Sequence, residues 1–146
     1  ELANYRSKNV GIIFQSFNLL PSMTALENVN LPNQISGALI DDKKGIELLK
    51  SVGLKNRLNH YPHQLSGGEQ QRVAIARSLI SSPEIIIADE PTGNLDKRNS
   101  EEVMKLIFKL QSDFASTLIL VTHDETIAKQ CNKIIKLDNG LIVKDE

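Results

Sequence analysis

The run Ile85-Ile86-Ile87-Ala88 carries no alternating polar residue and ends on two carboxylates, Asp89 and Glu90. A half-solvated strand alternates apolar and polar side chains. An unbroken apolar run therefore predicts a strand covered on both faces, as in a parallel sheet flanked by helices. Thr117-Leu118-Ile119-Leu120-Val121 reads as a second fully buried strand, and Val10-Gly11-Ile12-Ile13-Phe14 as a short buried one ending at Gln15. Between them the spacing is helical. Val73, Ala76 and Ile80 share one face of a helix expected from Gly67 to about Ser82, with Pro83 ending it. Val103, Ile107, Leu110 and Phe114 mark another helix. The order predicts an α/β layer fold, with a mostly parallel sheet and a helical insertion over residues 21–82.

The remaining segments fit that frame. Thr24-Ala25-Leu26-Glu27 can form a capping box, and Leu26, Val29 and Leu31 follow at helical spacing, although Pro32 should disturb the helix. Ile46, Leu49 and Val52 predict a helix that Gly53 ends. Residues 55–63 have no clear period. A short helix is expected from Asp124 to Gln130, and Asp138-Asn139-Gly140 between two apolar runs predicts a C-terminal β-hairpin. A chain of 146 residues supports one core. Cys131 is its sole cysteine, which excludes a disulfide framework. A formal net charge of -1 gives no electrostatic case for nucleic acid or an anionic membrane surface, and the apolar runs are too short to span a bilayer.

The chemistry-bearing residues lie where this frame exposes them. Asp89 and Glu90 stand at the carboxyl end of their strand, the edge at which α/β sheets bind ligands. Adjacent acids there suit a division of labour, one holding Mg²⁺ and the other polarising an attacking water; an isolated pair could equally cap the next loop. His123, just past the next strand, falls on the same edge and can donate to a phosphate oxygen, or serve as a local cap. Gln15 ends the first strand with an amide able to face a metal ion or a water. Upstream, Leu65-Ser66-Gly67-Gly68-Glu69-Gln70-Gln71-Arg72 combines a capping box, Ser66 with Glu69, and two glycines that leave the helix start open to an anion.

These pieces in this order resemble the ATPase subunit of ATP-binding cassette transporters. Phe14-Gln15 matches the glutamine loop, Leu65 to Gln70 the signature sequence and Ile85 to Pro91 the Walker B strand. Gly93-Asn94-Leu95-Asp96 matches the D-loop and Thr122-His123-Asp124 the histidine switch. More narrowly, residues 10–32 with Gly93 to Asp96 look like the branch of lipoprotein-release, macrolide-export and antimicrobial-peptide-resistance transporters. The resemblance implies a P-loop NTPase-like sheet, ATP and Mg²⁺ as ligands, and a dimer of nucleotide-binding subunits. It further implies a transmembrane permease partner, no direct membrane insertion, and a place in the cytoplasm at the inner face of the membrane. Asp89 would hold Mg²⁺ through its water shell and Glu90 would act as general base. Gln15 would sense metal and water, and His123 would contact the γ-phosphate. Ser66, Gly67, Gly68 and Gln70 would meet ATP held by the facing subunit, and Asp96 would work across the dimer interface.

One family motif is absent from these 146 residues: the phosphate loop G-x-x-x-x-G-K-[ST]. The expectation is a fragment inactive by itself, with residues 1–20 as the glutamine-loop strand, 21–82 as the helical subdomain and 83–146 as the rest of the catalytic core. Missing sheet neighbours would leave apolar strand edges exposed. The alternative is a non-catalytic regulatory or interaction module that keeps the signature helix.

Overall fold

The computed structural model describes residues 2–145. Helix α1 (Leu2–Asn9) leads into strand β1 (Val10–Phe14), followed by α2 (Ala25–Ser36), α3 (Asp42–Ser51), a 3₁₀ turn (Pro62–Gln64) and α4 (Gly67–Leu79). Then come β2 (Ile85–Asp89), α5 (Lys97–Asp113), β3 (Thr117–Val121), α6 (Glu125–Ala128) and the antiparallel pair β4 (Ile135–Asp138) and β5 (Leu141–Asp145). Strands β1, β2 and β3 form a parallel sheet in that order. The α/β class, the parallel sheet and the C-terminal hairpin are as the sequence predicts. Asn139 and Gly140, both at positive φ (48° and 78°), make the tight hairpin turn that matches strand twist.

A single apolar core runs from α2 and α3 through α4 and the sheet to α5. Helix α4 lies against β1 so closely that a Cβ on Gly11 would stand 2.2 Å from the Ser78 carbonyl oxygen. Only glycine permits that approach. The buried face of α4, with Val73, Ile75, Ala76 and Leu79, thereby seals one face of the sheet. Fully burying each of the larger side chains contributes about 1.5–3 kcal/mol.

Several expectations change. The strands are covered on one face, not two. Ile86 and Ala88 are buried while Ile85 and Ile87 are half-buried, and on the edge strand β3 Ile119 and Val121 are each 49% exposed. Apolar composition cannot report this, because β-branched residues suit the pleat whether or not a second layer covers them. Helix α4 stops at Leu79 rather than near Ser82, which adopts φ 51° and donates its N–H to the Leu79 carbonyl. Pro32 does not break α2. Its missing N–H and ring clash oppose the helix by about 3 kcal/mol. Buried Ala25, Val29, Asn28 and Asn30 on the same helix hold it in place. Helix α1 is not predicted by the sequence, since its residues show no apolar period.

Exposed apolar strand edges template pairing with other chains. Sedimentation velocity of the 146-residue chain is therefore expected to show self-association that weakens when Ile119 and Val121 are both changed to Lys. A monodisperse, cooperatively melting monomer would overturn this.

Candidate functional site

The parallel register sets the site. Phe14, Asp89 and Val121 are adjacent across the sheet, so Gln15, Glu90 and Thr122 begin the three loops at one edge. Asp89 and Gln15 are exposed there. Glu90 turns sharply, at φ 44°, a region that costs a residue with a Cβ on the order of 1 kcal/mol or more unless its surroundings enforce it. Its N–H donates to the Val121 carbonyl (2.9 Å) and its carbonyl accepts from Gly93 N–H (3.0 Å). The turn sends its side chain across to the end of β3. There Glu90 Oε1 accepts from the His123 N–H (2.9 Å) and sits 2.6 Å from His123 Nδ1.

This pairing has an electrostatic consequence. The Glu90 carboxylate, first by its hydrogen bond and then by its charge, holds the His123 imidazole above its ordinary pKa. With Nδ1–H committed to Glu90, Nε2 faces outward, because the His123 side chain is 85% exposed. A neutral Nδ1–H imidazole offers Nε2 only as an acceptor. Only the charged ring can donate from Nε2 to an anionic oxygen, and the raised pKa favours that form. Since Oε1 takes both bonds from His123, Oε2 is the Glu90 oxygen left to accept a proton.

Gln15 is held against the loop after β2. Its Nε2 donates to Asn94 Oδ1 (3.3 Å) and its carbonyl accepts from Asn94 Nδ2 (3.1 Å). A Cβ on Gly93 would lie 2.6 Å from Gln15 Nε2, so the glycine makes room for this amide. The three strand-end loops named from the sequence thus converge, with Asn94 as an added link.

A second cluster forms around the start of α4. The capping box is present: Ser66 Oγ accepts from Glu69 N–H (3.2 Å) and Glu69 Oε2 accepts from Ser66 N–H (2.9 Å). That backbone bond is the main reason the Glu69 carboxyl titrates below its usual range, and Arg57 Nε adds a contact at 3.1 Å. Gly67 faces the Phe17 ring and Leu95 at ordinary contact distance. Gly68 differs from expectation. Its missing side chain is filled by Asn99, whose Oδ1 would be 2.7 Å from a Cβ there. Asn99 also donates, from backbone and side chain, to Asp96, which caps α5. These bonds lower the Asp96 pKa, the Asn99 side chain most. Gln70 turns back to the Leu65 carbonyl (3.1 Å) and does not extend outward from the helix start.

Two side chains missed in the sequence join the clusters to each other. Buried Gln71 donates Nε2 to the carbonyls of Phe14 (3.3 Å) and Pro91 (2.5 Å). Its Oε1 has no partner among the described residues, at a cost of about 1–3 kcal/mol. Arg77 donates to the carbonyls of Phe17 (2.8 Å) and Asn18 (2.5 Å), two successive residues at positive φ. The available signal was a polar residue on the apolar face of a helix: Gln71 is in line with Ile75 and Ser78, both buried.

The arrangement is that of an ATP-binding cassette, and the chain belongs to the ABC transporter family, whose pattern matches residues 2–93. It is 46% identical over 145 residues to the lipoprotein-releasing system ATP-binding protein LolD of Bacteroides fragilis, covering 98% of this chain and 67% of LolD. The macrolide export ATP-binding/permease protein MacB of Rhodopirellula baltica is 46% identical over 149 residues, covering 99% of this chain and 22% of MacB. The dimeric ATP-binding cassette MJ0796, in a post-hydrolysis state bound to ADP and Pi, superposes with a TM-score of 0.85 at 44% identity, over 99% of this chain and 65% of that one. The chain thus spans about a fifth of the MacB relative and about two thirds of the other two. The resemblance to the lipoprotein-release and macrolide-export branch holds.

The histidine pairing is open to direct measurement. A histidine whose folded-state pKa is raised contributes stability that is complete below its unfolded value and is lost as pH rises through the folded one. In an NMR titration His123 is expected to titrate above the ordinary histidine range, and Glu90→Gln should bring it back down. An unchanged midpoint in the variant would show that the contact does not operate in solution.

Proposed function

We propose that this chain is the signature-helix and catalytic-base portion of an ATP-hydrolysing subunit that powers a membrane transporter. The observation that carries the reading is the convergence of Gln15, Asp89, Glu90 and His123 on one edge of a parallel sheet, in a chain of this family. Similarity to a dimeric cassette and to transporter ATPases supports two further elements: a second nucleotide-binding subunit and a transmembrane permease. Among the described residues no helix is long and apolar enough to cross a membrane. A place in the cytoplasm at the inner face of the membrane is part of the same proposal.

The donor set fits Mg²⁺. Among the described residues no three His, Cys, Asp or Glu side chains converge into a metal cage. Mg²⁺ needs none, because it is commonly held by one or two carboxylates together with water and substrate phosphate oxygens. Asp89 would hold it through water, with the Gln15 amide oxygen as a neutral donor. Held by these residues, Mg²⁺ would supply positive charge against the charge developing on the phosphates. Glu90 would take the proton of the attacking water on Oε2. His123 would donate from Nε2 to a γ-phosphate oxygen, and its bond to Glu90 orients the imidazole and favours its charged form for that task. Ser66, Gly67 and Gly68 would face the γ-phosphate of ATP held by the second subunit, while Gln70, expected from the sequence to join them, is turned back onto the Leu65 carbonyl and would brace the helix start instead. The unbonded N–H groups at the start of α4 favour an anion, and Asp96 would respond across the interface. The domain division at residues 20 and 82 belongs to this reading.

General bases contribute about a hundredfold or more to turnover. Steady-state hydrolysis by the complete protein is therefore expected to fall by about that factor in Glu90→Gln; an unchanged rate would remove Glu90 from its role. The 146-residue chain contains no G-x-x-x-x-G-K-[ST] loop to cradle the β- and γ-phosphates. It is expected to show negligible turnover with Mg²⁺, and measurable hydrolysis by it would show that it forms a working site without that loop.

A further inference from the structure

Gln71 is fully buried on α4, and its environment fixes which way its amide points. Nε2 donates to two carbonyls, of Phe14 and Pro91. Turning the amide over would set Oε1 against both carbonyl oxygens and lose both bonds. The present orientation leaves Oε1 without a donor. A side chain selected only to fill the core would not carry that unsatisfied oxygen, so the donated bonds are what the glutamine supplies here.

The two acceptors frame the catalytic residues. The Phe14 carbonyl belongs to the peptide that links β1 to Gln15, and Pro91 directly follows Glu90. Glu90 sits between two restraints, its own N–H on the Val121 carbonyl and the Gln71 bond to the Pro91 carbonyl. Its positive φ requires such enforcement.

We propose that Gln71 is a positioning residue for hydrolysis: its one carboxamide sets the spacing between Gln15 and Glu90 and ties both loops to α4. This rests on the reading of Glu90 as the general base. Gln71 is fully buried and its N–H groups are spent on two backbone carbonyls, so its loss is expected to act on the geometry of Glu90 and not on the affinity for nucleotide.

The test uses the complete protein with ATP and Mg²⁺, and two variants. Gln71→Leu removes the polar group, and Gln71→Glu keeps the shape while replacing the donating amide with an acceptor. Both are expected to lower kcat about tenfold or more with KM for ATP changed less than about twofold, the split that marks a loss felt only in the transition state. In a Glu90→Gln background, Gln71→Leu is expected to cause no further loss, because the side chain it positions is already disabled. Wild-type kcat in both variants would overturn the proposal. So would a parallel rise in KM, or the same factor lost again in the Glu90→Gln background. Failure of both variants to fold would make Gln71 a folding residue and overturn it as well. The Glu90→Gln control separates the two levels: if that variant turns over ATP normally, the assignment of the base has failed, whatever Gln71 does.

Discussion

The contact on which the site depends is the crossing of α4 over β1, where Gly11 meets the Ser78 carbonyl. Without a Cβ at Gly11 the helix backbone comes down onto the strand. Residues beside this contact and two turns back along α4 then reach the loops that leave the sheet. Gln71 reaches the ends of β1 and of the Pro91 turn, and Arg77 reaches the loop after Gln15. A side chain at Gly11 would push α4 away and break these bonds together. Long, rotatable side chains can bridge such gaps only when the backbones are fixed nearby, since an ordering cost of about 1–2 kcal/mol per side chain must otherwise be met.

The loops at the sheet edge are strained, and the strain is held from several directions. Phe17, Asn18 and Glu90 all adopt positive φ without being glycine. Arg77 bonds to the carbonyls of the first two, while Glu90 is restrained by Val121, by Gly93 and through the Pro91 carbonyl. Backbone in these regions persists only when its surroundings over-determine it. The return is direction: the turn at Glu90 carries its carboxylate away from the axis of β2 and toward His123 at the end of β3. One residue thereby couples two strand ends and raises the pKa of the imidazole. At the start of α4, Asn99 does similar work, joining the backbone of Gly68 to Asp96.

Much of this was legible in the sequence and some of it could not be. The strands, the hairpin turn at Asn139-Gly140 and both capping boxes depend on residues close in sequence, and they form as expected. Gln15, Asp89 and Glu90 are also local inferences, because a strand end is marked where its apolar run stops. Three things depended on neighbours that no local pattern specifies. The exposure of Ile119 and Val121 follows from β3 being an edge strand with an uncovered face. The continuity of α2 through Pro32 follows from burial of its first half, Ala25, Asn28, Val29 and Asn30, against the core. The filling of the space at Gly68 by Asn99 follows from where α5 starts relative to α4.

The sequence by itself determined the class of fold, the family and the residue types available for phosphate chemistry, because hydrophobic period, glycine placement and capping act over a few residues. Only the tertiary structure decided that Glu90 is paired with His123, that Gln15 rests on Asn94, and that Gln71 holds the two loops in register. Those are contacts between residues separated by 20 to 79 positions. Their geometry comes from the register of three parallel strands and the close approach of one helix, which exist only once the chain has packed.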